Sequence, residues 1–242
     1  MKKNIYMGII TFITLCCIII GVLKGGVLHF GNKNVHSEEI SLDDYKKLSI
    51  QANVMNIAFI EGEKYTIHYE CTEGIDPICS VNNDTLTITQ KKKRMRFFGI
   101  GNQNCKVTIE VPKGTVLEDM DVKLGVGEVM MNGMQNKATT ISLDVGEVEI
   151  ENSILGDTMV DIDVGEISIE ESEFENMAAE TDTGDIEISS NKDLSAYSFV
   201  LKSDIGEISV NNREYGRKYE DNTHSDYKIK ATTDIGDIDI AY

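Results

Sequence analysis

Between Lys137 and Lys192 the chain has no lysine or arginine at all. The shortage is regional. Residues 121–242 hold 28 Asp and Glu against 9 Lys and Arg, a net of −19, while residues 1–120 hold 13 against 14, a net of +1. The overall charge of −18 therefore belongs to the second half. Affinity for nucleic acid comes from neutralising phosphates, so this surface excludes that class of partner. Other absences narrow the field further. There is no tryptophan and there are only two prolines, against twenty glycines, which fits a β-rich chain with many turns. No amphipathic helix of useful length follows residue 45. G-x-S-x-G and phosphate-binding loops are missing, and His29, His36, His68 and His224 are scattered, with no zinc-type ligand set. At 41% hydrophobic residues wholesale disorder is excluded, and 242 residues make one domain or two small ones.

The one long apolar run is "IYMGIITFITLCCIIIGVL", residues 5–23, closed by Lys24. About 20 apolar residues cross a bilayer, whereas the apolar part of a signal peptide is nearer 7–15. No small-x-small cleavage site follows. The run predicts an uncleaved transmembrane signal anchor, with a long cleaved signal as the alternative. Lys2 and Lys3 favour a cytoplasmic N-terminus (residues 1–4) and an outward-facing remainder, although Lys24 and Lys33 on the far side weaken that inference. Residues 24–44 read as a juxtamembrane linker. Cys16 and Cys17 lie within the apolar run, leaving Cys71, Cys79 and Cys105 outside it. A Cys71–Cys79 bridge is open, but the spacing does not demand one.

The acidic half repeats itself. Gly125-Val126-Gly127-Glu128 is followed by Asp144-Val145-Gly146-Glu147, Asp163-Val164-Gly165-Glu166, Asp182-Thr183-Gly184-Asp185, Asp204-Ile205-Gly206-Glu207 and Asp234-Ile235-Gly236-Asp237. The first four glycines recur every 19 residues, and then the spacing opens to 22 and 30. Around each glycine apolar and polar residues alternate, and the phase shifts by one at the glycine. This predicts Ile141, Leu143, Val145, Val148 and Ile150 on the buried side of one copy. Val160, Ile162, Val164, Ile167 and Ile169 follow in the next, and Ile229, Ala231, Ile235, Ile238 and Ile240 in the last. Leu155 and Phe174, also 19 apart, would plug the turns. One copy cannot bury its own apolar side, so neighbours must stack. The expected fold is all-β, a single-stranded β-solenoid spanning 45–242. Within it, 45–120 forms the N-terminal cap and first rungs, and 121–242 forms the acidic repeats. The corners Gly127, Gly146, Gly165, Gly184, Gly206 and Gly236 bend the strand at little steric cost.

With these motifs laid out, the chain resembles the bacterial putative-adhesin β-strand repeat family, a domain of unknown function. The resemblance rests on "DTLTIT" (84–89), "VTIEVPKGT" (107–115), the D-x-G-[DE]-[IV] corners, "SDIGEISVN" (203–211) and "TTDIGDIDI" (232–240). It implies an extracytoplasmic, envelope-associated protein, some relatives of which accompany cell-envelope stress systems. It implies no catalytic residues.

Stacking in chain order would align Asp144, Asp163, Asp182, Asp204 and Asp234 in one column. Glu128, Glu147, Glu166, Asp185, Glu207 and Asp237 would form a second. Carboxylates about 5 Å apart repel by about 0.8 kcal/mol per pair in water. One reading makes the Asp column a calcium site, since calcium prefers clustered oxygens. The other makes the acids a solvated face that favours turns and opposes aggregation. The corners lack the G-G-x-G-x-D order of calcium-binding β-rolls, which favours the solvated face. Catalysis by paired acids, as in a carbohydrate-active wall enzyme, needs one distinct constellation, not an even ladder.

Two basic spots interrupt the acid. Lys91, Lys92, Lys93, Arg94 and Arg96 adjoin Phe97 and Phe98, and Arg213, Arg217 and Lys218 adjoin Tyr215 and Tyr219. They suit anionic lipid headgroups, wall polymers or the acid ladder of another copy, or simply solubilise exposed tips. The leading functional expectation is a membrane-anchored, outward-facing, non-enzymatic envelope module. A calcium-dependent assembly module is the alternative.

Overall fold

The computed structural model of the protein describes residues 35–90, 104–190, 193–195, 197–221 and 225–242. Among these residues every regular element is a strand, and no helix is long and apolar enough to cross a membrane. The expected anchor, residues 5–23, and the basic stretch 91–96 lie outside the described residues.

The first strands are β1 (Val35–Ser41), β2 (Lys47–Val54), β3 (Asn56–Gly62), β4 (Thr66–Thr72), β5 (Pro77–Asn82), β6 (Thr85–Gln90) and β7 (Cys105–Pro112). The short β8 (Val116–Leu117) leads into three long strands, β9 (Asp119–Asn132), β10 (Gln135–Glu151) and β11 (Ile154–Glu170). Then come β12 (Glu173–Thr183), β13 (Ile186–Ser189), β14 (Ser198–Ile205) and β15 (Ile208–Val210). The chain closes with β16 (Arg213–Glu214), β17 (Lys218–Asp221), β18 (Lys228–Ile235) and β19 (Ile238–Ala241).

The repeats stack in parallel and in register. Val126, Val145 and Val164 are partners, as are Gly127, Gly146 and Gly165. Each rung bends at its glycine, so one arm precedes the corner and another follows it. Ile141 and Leu143 from the first arm, and Val148 and Ile150 from the second, are buried in a single core. Leu155 and Phe174 pair and are 3% and 1% exposed, plugging the core between the arms as their spacing predicts.

Spatial order departs from chain order at both ends. The rungs run β6/β7, β2/β3, β9, β10, β11, β12/β13, β18/β19 and β14/β15. The first rung in sequence lies second, and the last rung in sequence lies second from the other end. Antiparallel strands then close the stack: β5 on β6 and β4 on β7 at one end, β17 on β14 and β16 on β15 at the other. These strands cover the two ends of the parallel ladder and leave only the shorter β1, β5, β16 and β17 as outer edges.

Three expectations need correction here. Residues 35–41 of the supposed 24–44 linker are strand β1, paired antiparallel along β4. The Tyr69 hydroxyl fastens this strand by donating to Glu38 at 2.6 Å, and His36 Nδ1 lies 3.0 Å from Asp76 Oδ1. The disulfide joins Cys71 to Cys105, which sit directly opposite each other on β4 and β7, and not Cys71 to Cys79. Cys79 is free, half-buried, and has its thiol pushed up to about 11 by burial and the nearby Glu38 carboxylate.

The third concerns the residue before each glycine. Val126, Val145 and Ile205 are 40%, 38% and 53% exposed, while Val164 and Ile235 are half-buried. The corner occupies all four residues from Asp144 to Glu147, so inward alternation pauses at Leu143 and resumes at Val148.

Candidate functional site

The corner column is the most distinctive feature of the molecule. Gly146, Gly165, Gly184, Gly206 and Gly236 have φ between 148° and 156°, a region L-residues rarely adopt. Close approach adds a second demand. A β-carbon on Gly146 would lie 1.7 Å from Gly127 O, and one on Gly184 would lie 1.7 Å from Gly165 O. One on Gly236 would lie 1.9 Å from Gly184 O, and one on Gly206 would lie 1.9 Å from Gly236 O. The glycines therefore form a backbone ladder whose order, 127–146–165–184–236–206, confirms the exchanged last rungs.

The ladder begins on a corner with no glycine. Gly127 packs against Met55, whose carbonyl oxygen would be 1.8 Å from an added β-carbon, and Val54 partners Val126. Asn53-Val54-Met55-Asn56 is thus a seventh corner. Beyond it the Gln90 side chain replaces a neighbouring backbone: its oxygen accepts from the Asn53 and Val54 amides at 3.1 Å, and its nitrogen donates to Val54 O at 2.6 Å. Sequence gave no glycine to signal this corner, although the apolar spacing of Val54 and Ile57 matches Val126 and Val129.

The Asp column is exposed throughout, and its spatial order is Asp144, Asp163, Asp182, Asp234, Asp204, as the partners Thr183–Ile235 and Ile235–Ile205 require. Asp204 pairs with Lys202 at 2.7 Å. Among the described residues no three His, Cys, Asp or Glu side chains converge to hold a metal ion. The second column has a visible structural use at its far end. The Asp237 amide donates to Asp185 Oδ1 at 2.7 Å, and the Glu207 amide donates to Asp237 Oδ1 at 2.8 Å. A short carboxylate beside the glycine thus reaches the backbone of the next rung. At the other end Glu128 accepts from the Asn56 side chain at 3.0 Å.

Charge divides between the arms. The arm after the glycine carries Glu128, Glu147, Glu166, Asp185, Asp237 and Glu207 in its first row. Glu149, Glu187 and Asp239 stand in the next outward row, then Glu151 and Glu170, with no lysine or arginine in these rows from 128 onward. Crowding has a consequence: burial, then Glu151, Glu170 and Glu147, raises the Glu149 carboxyl above its ordinary range. The arm before the glycine is mixed. Lys123 meets Asp121 at 3.0 Å, and Lys230 meets Glu180. Burial, followed by Glu180, Asp163 and Asp182, raises Asp161 there. An open trough of about 390 Å³ lies on this arm, floored by Ala138, Thr140, Met159 and Ala178 and edged by Lys228 and Lys230.

The second basic spot is not a free tip. β16 and β17 cover the last rung, and Tyr215 and Tyr219 pack on the core with ring centroids 4.3 Å apart. Arg213 lies over the Tyr215 ring at 5.4 Å, and Lys218 pairs with Glu220 at 2.9 Å. Alternating sequence through this stretch gave no hint that it runs back along its own rung.

A serine ladder also escaped the sequence reading, though its 19-residue spacing was visible. Ser153 and Ser172 are buried at the turns, where the Met134 amide donates to Ser153 Oγ and the Ser153 amide to Ser172 Oγ, both at 3.1 Å. Each hydroxyl donates in turn to the carbonyl two residues earlier, Glu151 and Glu170, at 2.7 and 2.8 Å. The residues before Met134, Ser153 and Ser172 are Gly133, Asn152 and Glu171, and all three adopt positive φ.

Among solved structures, a putative cell adhesion protein from Clostridium sporogenes is 15% identical, with 87% of this chain and 99% of that one covered and a TM-score of 0.47. A putative adhesin from Bacteroides fragilis is 17% identical, covering 86% and 98%, with a TM-score of 0.47. A putative lipid binding protein from Parabacteroides distasonis is 15% identical, covering 87% and 95%, with a TM-score of 0.31. No curated protein matches. The Toastrack DUF4097 family model matches residues 45–241, nearly the whole stack and its corners, and the chain belongs to that family.

Proposed function

We propose that this protein is a non-enzymatic envelope module, anchored by residues 5–23, whose β-solenoid stands outside the membrane and offers its acidic arm to a positively charged partner. The observation that carries this reading is the segregation of acid. From residue 128 onward, the arm after the glycine holds Asp and Glu in three outward rows with no lysine or arginine among them, while lysines neutralise part of the other arm. Evenly repeated, exposed carboxylates form a broad electrostatic surface; catalysis would need a single recess with distinct groups. Complementary charge speeds and orients encounter more than it strengthens the final complex. The engagement of Asp185 and Asp237 with backbone amides supports a structural use of the corner acids over a calcium-controlled one.

Carbodiimide coupling on intact cells tests this, because it joins carboxylates directly to adjacent lysines. The full chain should form discrete adducts that disappear in an E147Q/E149Q/E166Q/E187Q variant and survive D144N/D163N/D182N. Adducts indifferent to the first set would overturn the assignment of the acidic arm.

A further inference from the structure

The two exchanged rungs differ in when they are made. At one end the inserted rung, β2/β3, precedes both of its neighbours in the chain. At the other, β18/β19 follows both of them, so the walls of its slot are complete before it is synthesised. We propose that residues 225–242 are an exchangeable rung, and that the slot between β12/β13 and β14/β15 accepts the same segment from a second copy of the chain.

Recognition in the slot is specific and two-sided. Ile229 lies between Met177 and Phe199, and Ala231 between Ala179 and Leu201. Ile238 lies between Ile186 and Ile208, and Ile240 between Ile188 and Val210. These four inserted side chains are at most 2% exposed. Main-chain ladders on both sides supply affinity, and the pockets for alternate side chains supply register. The corner admits only glycine, since a β-carbon on Gly236 would meet Gly184 O at 1.9 Å. Asp185 receives the Asp237 amide, and Ser203 donates to Gly236 O at 2.8 Å.

The described strands of the connection lie outside the slot. β16 and β17 pair on the outer edge of β14/β15, away from β18/β19. The Asp204-Ile205-Gly206-Glu207 corner also repeats the phrase of Asp234-Ile235-Gly236-Asp237.

The test uses the full chain with a protease site between Asp221 and Ser225, cut after folding and mixed with excess labelled peptide of residues 225–242. Native mass spectrometry should show labelled peptide replacing the resident segment. A G236V peptide should incorporate at least about tenfold less, because its side chain meets backbone. The uncut chain, whose tethered segment competes at high effective concentration, should also incorporate at least about tenfold less. If the segment stays in place below the melting temperature, or if the cut chain unfolds and the peptide fails to restore it, the proposal is wrong. Equal uptake of the G236V peptide, or equal uptake by the uncut chain, would place the peptide outside the slot and overturn it as well.

Discussion

A β-carbon on Gly165 would lie 1.6 Å from the carbonyl oxygen of Gly146, one rung below. Neither backbone can move aside, because each is hydrogen-bonded into ladders on both sides. G165A should therefore cost at least about 3 kcal/mol, combining overpacking with the cost of positive φ. Gly216 also has positive φ but open space around it, so G216A should cost only about 1–2 kcal/mol. Chemical denaturation of both variants checks the pair; equal losses would show that φ alone, and not rung contact, fixes the corner.

The corner acids should divide by what they touch. D237A removes the acceptor of the Glu207 amide and should cost about 1–3 kcal/mol. D163N, at an exposed carboxylate among like charges, should be neutral or stabilising. Thermal melting of the two variants measures the difference.

Linking Cys71 to Cys105 closes a separation of 34 residues, worth about 4 kcal/mol on the loop-entropy model. C71S/C105S should lose about that much, whereas C79S should lose little. Peptide mapping under non-reducing conditions should recover Cys71 joined to Cys105 and an alkylatable Cys79.

Acid crowding sets the sign of the pH response. Glu149 and Asp161 are raised above their ordinary values in the folded state, so the native protein binds their protons before the unfolded chain does. Their destabilising effect is complete above the raised folded values. It fades as pH falls through them, and is gone below the ordinary carboxylate range. Stability should thus rise on mild acidification from pH 7, and E149Q should raise the melting temperature at pH 7 with a smaller gain at lower pH.

Much of the stack was legible because its physics is local and periodic. A glycine every 19 residues marks a backbone that cannot bear a side chain, and the Leu155–Phe174 pair marks a plug that recurs with it. What stayed hidden depends on encounters distant in sequence. Met55 forms a corner without glycine, marked only by the distant Gln90 side chain, which bonds the backbone of Asn53 and Val54. Val145 looked buried because strict alternation was carried one residue too far into the bend. The partner of Cys71 stayed open in the sequence because spacing does not choose between Cys79 and Cys105, whereas the antiparallel register of β4 and β7 sets Cys105 opposite Cys71. The order of the last two rungs was unreadable for a related reason: their corners carry the same phrase, so either one fits beside Gly184.

Paired cysteines in a C79S background report the order of these rungs. Thr232 partners both Glu180 and Lys202, which stand one rung to either side of it. Rungs about 4.8 Å apart allow a disulfide between neighbours, whereas two rungs, about 10 Å, do not. With β18 between β12 and β14, E180C/T232C and K202C/T232C should oxidise to intramolecular bridges while E180C/K202C should not; a bridge in E180C/K202C alone would restore chain order and contradict the exchange.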